Sequence, residues 1–356
     1  MLIYERVHVL DYSSLYPNII RQLRLSPEFK YSNNYTDDLN TNLVIDKKEL
    51  HKEHGVLDGY ITDLLKLRQE YRSNGKDAEQ QACKIIVNSV YGLLSQKTAK
   101  FILGGTNIAS TVTYIGRTLL HRLVEELPNE GITVVYGKTD SIFVISDKSD
   151  KEVLEIAQKY TDKIIKELTG FENDYIKFDY EEFLQKFLII NKNNYIKVYT
   201  NNKKVKGASL FNTKMSQFDI DMTNYLLDKI IEGEVFYKRD VTKIAFKYLN
   251  SKINKEPLSY FSIKHKPRRE PINKWDNVEY MHMKDIDVEY NFYHYACIVN
   301  GVRNSDGVLV YPIGHEPNHK LYKVNRKWLE GNLYKLIKKL DLQDRNLQMS
   351  LDKFFR

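Results

Sequence analysis

The sequence predicts an α+β protein, one that mixes βαβ-like and antiparallel stretches. Three observations carry that prediction. Val7 and Val9 alternate with His8 and Leu10 before a bend, the period of a strand that ends at Asp11. Two β-rich runs in ITVVYGKTDSIFVIS flank the turn Gly137-Lys138-Thr139-Asp140, which predicts a β-hairpin with Asp140 at its tip. Between them, YITDLLKLRQEYRS from about Leu57 and AEQQACKIIVNSVYGLL read as helices, and Ser73-Asn74-Gly75-Lys76-Asp77 breaks them into an αα-hairpin.

The remaining elements follow in order. The segment from Asn33 to His54 is polar and irregular. TNIASTVTYIGRTLLHRLVEEL is a third helical stretch, and another runs from near Lys151 to Leu168. Strands are expected through YIKFDYEEF and FLIINKNNYIKVY, and beyond Lys203 the chain turns helical and basic without repeats.

A chain of 356 residues has room for two or three substructures and a sizeable core. Its net charge of +7 favours a polyanionic partner without identifying one. The 26 tyrosines suit wet surfaces and nucleotide stacking, although cores and rims account for most tyrosines in any protein. Cys83 and Cys297 show no zinc or disulfide spacing, so a reducing compartment such as the cytoplasm is expected. MLIYERVHVL is too short and charged for a secretory signal, and no run of about 18 apolar residues exists for a membrane span.

The polar residues suggest phosphoryl transfer. That chemistry uses two divalent cations about 4 Å apart, held by carboxylates from separate elements. Asp11 at a strand end and Asp140 at a hairpin tip supply such a pair, and Asp179 or Glu181 in FDYEEF offers a third acid; each taken singly reads more simply as a solvated acid. Lys84, Asn88 and Tyr91 recur at i, i+4 and i+7, which puts them on one helical face. Arg68 precedes the loop on the partner helix, where antiparallel packing would bring it near Lys84 as a triphosphate clamp.

At these residues the chain resembles the polymerase half of a family B DNA polymerase. Asp11-Tyr12-Ser13-Ser14-Leu15-Tyr16-Pro17 matches motif A, Lys84-x-x-x-Asn88-Ser89-x-Tyr91-Gly92 matches motif B, and Tyr136-Gly137-Lys138-Thr139-Asp140-Ser141 matches motif C. The resemblance implies a right-hand polymerase with an antiparallel-sheet palm (1–56 and 105–200), two-helix fingers (57–104), a mostly helical thumb (201–345) and a tail (346–356). It implies that Asp11, Asp140 and the Tyr12 carbonyl hold two magnesium ions, with manganese as a substitute. Ser14, Leu15, Arg68 and Lys84 would hold the triphosphate of a dNTP, Tyr16 would exclude a ribose 2′-hydroxyl, and Asn88 and Tyr91 would line the base-pair pocket. Gly92, Thr139, Glu181, Lys192, Tyr195, Lys206 and Gly207 would meet template-primer DNA, with lysines 192, 197, 203, 204 and 206 forming a phosphate-tracking strip.

One departure stands out. Motif C of the family normally carries Asp-Thr-Asp, and this chain has Lys138 in place of the first acid. At about 6 Å and an effective dielectric of about 20, a unit charge beside a dication is worth roughly 5 kcal/mol. An active enzyme with Lys138 turned away, a weakened enzyme preferring another metal, and an inactive DNA-binding relative all remain open. Two partners are also expected. Gln348, Leu351, Phe354 and Phe355 resemble a sliding-clamp-binding peptide. The family's amino-terminal and 3′–5′ exonuclease regions cannot fit before Asp11, so a separate polypeptide is expected to carry them, the alternative being a gene fragment, viral or phage.

Overall fold

The computed structural model describes all residues except 30, 32–44, 46, 51–52, 97–104, 207–209, 212–213, 235–236, 291, 301–305, 319–320, 341 and 343–356. The chain divides into two compact units, residues 4–185 and, together with residues 1–3, the chain from Lys186 onward.

In the first unit, strand β1 (Leu2–Tyr12) runs into α1 (Leu15–Leu23), followed by the hairpin of α2 (Val56–Ser73) and α3 (Asp77–Leu94). Helix α4 (Gly105–Glu126), strands β2 (Thr133–Lys138) and β3 (Ser141–Ile145), α5 (Asp150–Thr169) and β4 (Phe178–Asn191) complete it. β1 lies between β3 and β4, and β2 pairs antiparallel with β3. Alternation along β1 sends Leu10 and Tyr12 into one core with Ile142 and Val144, where Ile108, Val112, Ile115 and Leu119 of α4 and Val153, Ala157 and Ile164 of α5 cover them. The Tyr12 ring stacks on Phe178 at 3.6 Å and its hydroxyl meets Thr161 Oγ1 at 2.7 Å, which locks the strand end that carries Asp11. Helix α5 starts and stops on clear signals. Ser149 and Glu152 form a capping box, and Gly170 closes the helix at φ 83.

In the second unit, residues 186–191 of β4 pair antiparallel with β5 (Asn194–Val198), and β5 with β6 (Lys203–Lys206). Then come α6 (Gln217–Ile231), α7 (Lys238–Lys252), α8 (Leu258–Phe261), β7 (Ile263–His265), α9 (Glu279–Met283), β8 (His294–Asn300), β9 (Val308–Pro312), β10 (Lys323–Val324) and α10 (Arg326–Lys339). Phe218, Met222 and Leu226 of α6 pack with Leu249 of α7 and with Leu329 and Leu333 of α10.

The mostly helical stretch expected over 201–345 also holds strands. β8 pairs antiparallel with β7, β9 and β10, so a four-stranded sheet sits among these helices. HYACIVN and VLVYP are short β-branched and aromatic runs, which pair once neighbours on both edges bury them. The two strand runs expected before Tyr199 also differ in extent: Tyr175–Lys177 stays outside, and one strand continues through Phe178–Asn191. Cys83 and Cys297 are free thiols, both buried. Among the described residues no helix is long and apolar enough to cross a membrane.

Candidate active site

Asp11 and Asp140 come together through strand pairing. In β1 and β3, Asp11 lies opposite Ser141, and the Tyr12 amide donates to the Asp140 carbonyl at 2.7 Å, so the hairpin tip is tied to the end of β1. Both carboxylates are half-buried. At the tip, Thr139 takes φ 53 and the Asp140 amide donates back to the Lys138 carbonyl at 2.6 Å, the geometry of a γ-turn. A β-branched residue in that region costs about 1–3 kcal/mol, which surrounding structure must hold in place.

The strand-to-helix bend after Asp11 is strained too. Ser14 caps α1 in the left-handed conformation, φ 50 and ψ 53, without a side-chain cap of its own. Its hydroxyl instead accepts from Arg68 Nη1 at 3.4 Å, while Asn18 Nδ2 donates to the Ser13 carbonyl at 2.6 Å and Ser13 Oγ donates to Asp179. The first amides of α1, Leu15 and Tyr16, begin a helix whose opening turn lacks intrahelical acceptors.

Lys138 does not point away from the acids. Between Val134 and Tyr136 the register of β2 slips by one residue, so Val134 faces Val144 but Tyr136 faces Phe143 and Lys138 faces Ser141. Residues directly opposed across strands share a face. Asp11, Ser141 and Lys138 therefore form one row over three strands, with Asp11 and Lys138 about 10 Å apart at their backbones. Lys138 is exposed.

Tyr16 leans its ring on Tyr91, centroids 4.6 Å apart at 54°. Behind it, a Cβ placed on Gly116 of α4 would come within 3.3 Å of the ring, so glycine is what lets helix and ring approach. Sequence reading passed over Gly116, although a lone glycine inside a helical run was the available signal. Burial raises the Tyr16 phenol, helped by Tyr91 and Asp140 and opposed by Arg117. Burial likewise raises the Tyr91 phenol, whose hydroxyl bonds Thr113. A cavity of about 310 Å3 opens beside Tyr16, with Thr113, Arg117, His121, Gly137 and Thr139 on its walls.

On α3, Cys83, Val87 and Leu94 form the buried stripe, Lys84 and Asn88 are exposed, and Tyr91 and Gly92 are half-buried. Burial raises the Asp140 carboxyl; Glu181, exposed on β4, pushes it further, while its own backbone amide, Lys138 and Lys84 pull it down. Arg68, Lys84, Lys138 and Glu181 thus all converge on the ends of β1 and the hairpin. Among the described residues no three or more His, Cys, Asp or Glu gather as a preformed metal cage. A pair of aspartates nonetheless fits magnesium, which takes one or two carboxylates and fills its shell with water and substrate phosphates.

Lys192, Tyr195 and Lys206 belong to the other unit. Lys192 is exposed in the β4–β5 turn, Lys206 is exposed on β6, and Tyr195 is buried with its ring 5.4 Å from Phe187. The expected lysine strip is incomplete: Lys197 is buried, and Lys203 pairs with Asp228. Lysines on opposite faces of a strand cannot all line one track. Gly207, Gln348, Leu351, Phe354 and Phe355 lie outside the described residues.

Comparison with known proteins gives relatives and a fold neighbour. A DNA polymerase of Paramecium bursaria Chlorella virus NY2A is 27% identical over 269 residues, covering 64% of this chain and 29% of the viral protein. DNA polymerase II of Escherichia coli is 32% identical over 144 residues, covering 40% of this chain and 18% of that protein. The chain therefore spans less than a third of either relative's length. In fold it resembles the family B DNA polymerase of Pyrobaculum calidifontis, with a TM-score of 0.64, 20% identity, and coverage of 98% of this chain and 46% of that one. The model of DNA polymerase family B matches residues 2–284, most of the chain, and it is to this family that the protein belongs.

Proposed function

We propose that residues 4–185 carry the active centre of a DNA-directed DNA polymerase, which adds deoxynucleotides to a primer 3′ end on a template. The observation that carries this reading is the tie between Tyr12 and Asp140, which sets two half-buried aspartates side by side at adjacent strand ends. Two magnesium ions bound by Asp11, Asp140 and the Tyr12 carbonyl would activate the 3′-hydroxyl and neutralise the triphosphate. The remaining roles fall to side chains and amides. The Ser14 and Leu15 amides, at the positive end of α1, donate to phosphate oxygens, and Arg68 and Lys84 hold the triphosphate so that the 3′-oxygen bonds to the α-phosphorus as pyrophosphate leaves. Tyr16, backed by Gly116, blocks the ribose 2′-hydroxyl, while Asn88 and Tyr91 line the base pair.

In this reading Gly92, Thr139, Glu181, Lys192, Tyr195, Lys206 and Gly207 meet the DNA. Residues 57–104 act as fingers, 1–56 and 105–200 as palm, and 201–345 as thumb. The C-terminal peptide 346–356 docks on a sliding clamp. Lys138 motivates a second reading, a catalytically weakened or inactive DNA-binding scaffold tethered to that clamp.

Primer extension separates the two. The polymerase reading expects incorporation in magnesium or manganese, lost in Asp11→Ala while DNA affinity is kept. DNA binding without incorporation in either metal would leave only the scaffold.

A further inference from the structure

We propose that Lys138 is a fixed cation of this site, which binds a phosphate group of DNA or nucleotide and weakens divalent-ion binding by the neighbouring aspartates. The inference rests on the polymerase reading above for the identity of the ligand. Its geometry comes from the hairpin.

The slip at Val135 decides which face Lys138 occupies. A β-bulge adds one residue to one strand, and every side chain beyond it changes face. Without it Lys138 would stand on the face of Ile142 and Val144, against the helices; with it, the lysine joins the row of Asp11 and Ser141. The backbone below it is held firmly. Its carbonyl accepts from the Asp140 amide at 2.6 Å and from Ser141 Oγ at 3.3 Å, and the hairpin tip is tied to β1 through Tyr12.

Charge arithmetic gives this placement its consequence. Asp11, Asp140 and Glu181 against Arg68, Lys84 and Lys138 leave no net charge at the site, where an acid at position 138 would leave two negative charges. A dication gains less from such a site, and a phosphate entering it is repelled less. The ammonium is compact, exposed and on a flexible stem, suited to a phosphate oxygen as a point charge.

The test uses the whole chain and its Lys138→Gln and Lys138→Asp variants, with Lys151→Gln on the outside of α5 as control. In EDTA, anisotropy titrations across salt with a recessed primer–template, and separately with a deoxynucleoside triphosphate, identify which phosphate is bound. Loss of one DNA contact should reduce the log–log salt slope of Lys138→Gln by about 0.9. If the triphosphate is the ligand, that variant loses nucleotide affinity instead. Manganese titrated into the free protein and followed by electron paramagnetic resonance should bind about tenfold tighter to Lys138→Gln and tighter still to Lys138→Asp. Unchanged binding of both DNA and nucleotide, or unchanged manganese affinity, overturns the inference; the first with the second shifted means Lys138 only neutralises the acids. Primer extension is read separately. A chain that shows both shifts yet extends no primer keeps this inference and loses the catalytic reading.

Discussion

The hairpin around Asp140 and the loop around Asp276 each hold a carboxyl group away from water, in opposite ways. Asp276, 1% exposed, accepts from His265 Nε2 at 2.8 Å and from the amides of Arg268, Ile272 and Asn273. Burial would raise its pKa, but these donors together outweigh burial and hold it below the usual carboxylate value. Asp140 sits on a strained γ-turn, and burial with Glu181 outweighs its amide and two lysines, so its carboxyl is raised. A buried carboxylate surrounded by aligned donors pins a loop. One raised by burial and a second acid, on a strained backbone, is an arrangement that structure alone does not call for.

The difference can be tested by matched substitutions. The largest effect is expected for Asp140→Asn, which should lower primer extension about 1000-fold or more, the scale for losing a group that stabilises transition-state charge, and leave thermal stability nearly unchanged. Equal losses of activity and stability would make Asp140 structural. Asp276→Asn should do the reverse, costing about 3 kcal/mol in thermal unfolding with little effect on chemistry. The sign of its pH dependence follows from the depressed pKa. The stabilisation is complete above the unfolded carboxylate value of 3.8 and is lost as pH falls through the lower folded value, so the two proteins should differ at neutral pH and converge only in acid. Convergence at alkaline pH instead would contradict the assignment.

Thr139→Gly addresses the strain. Glycine adopts positive φ freely, so the variant should gain up to about 1 kcal/mol of stability while losing incorporation rate through a looser tip. A loss of stability would show that Thr139 contacts matter more than its backbone. The smallest effect is expected for Gly116→Ala. The added methyl reaches the Tyr16 ring at 3.3 Å, and a displacement of a few tenths of an ångström should change discrimination between ribonucleotides and deoxyribonucleotides by less than about tenfold. Discrimination that stays the same while stability falls would make Gly116 a packing residue only.

Much of this site was legible before folding. The turn residues Ser73–Asp77 fall at the break between α2 and α3, and Asp140 stands at the hairpin tip as the flanking β-rich runs require. Such features depend on neighbours a few residues away, so local order encodes them. The strands of residues 263–324 were not legible, because β7, β9 and β10 gain their partners only from β8. Lys197 looked like one more cation in a basic stretch until pairing with β4 and β6 buried it.

The sequence by itself determined that two aspartates, Tyr16 and a set of cations stand at motif spacing, since identity and spacing are written in the chain. Which face Lys138 occupies was decided only by the tertiary structure. One unpaired residue at Val135 shifts the register of β2, and in a ladder with period two that single slip carries the ammonium from the packed side of the sheet to the row of Asp11.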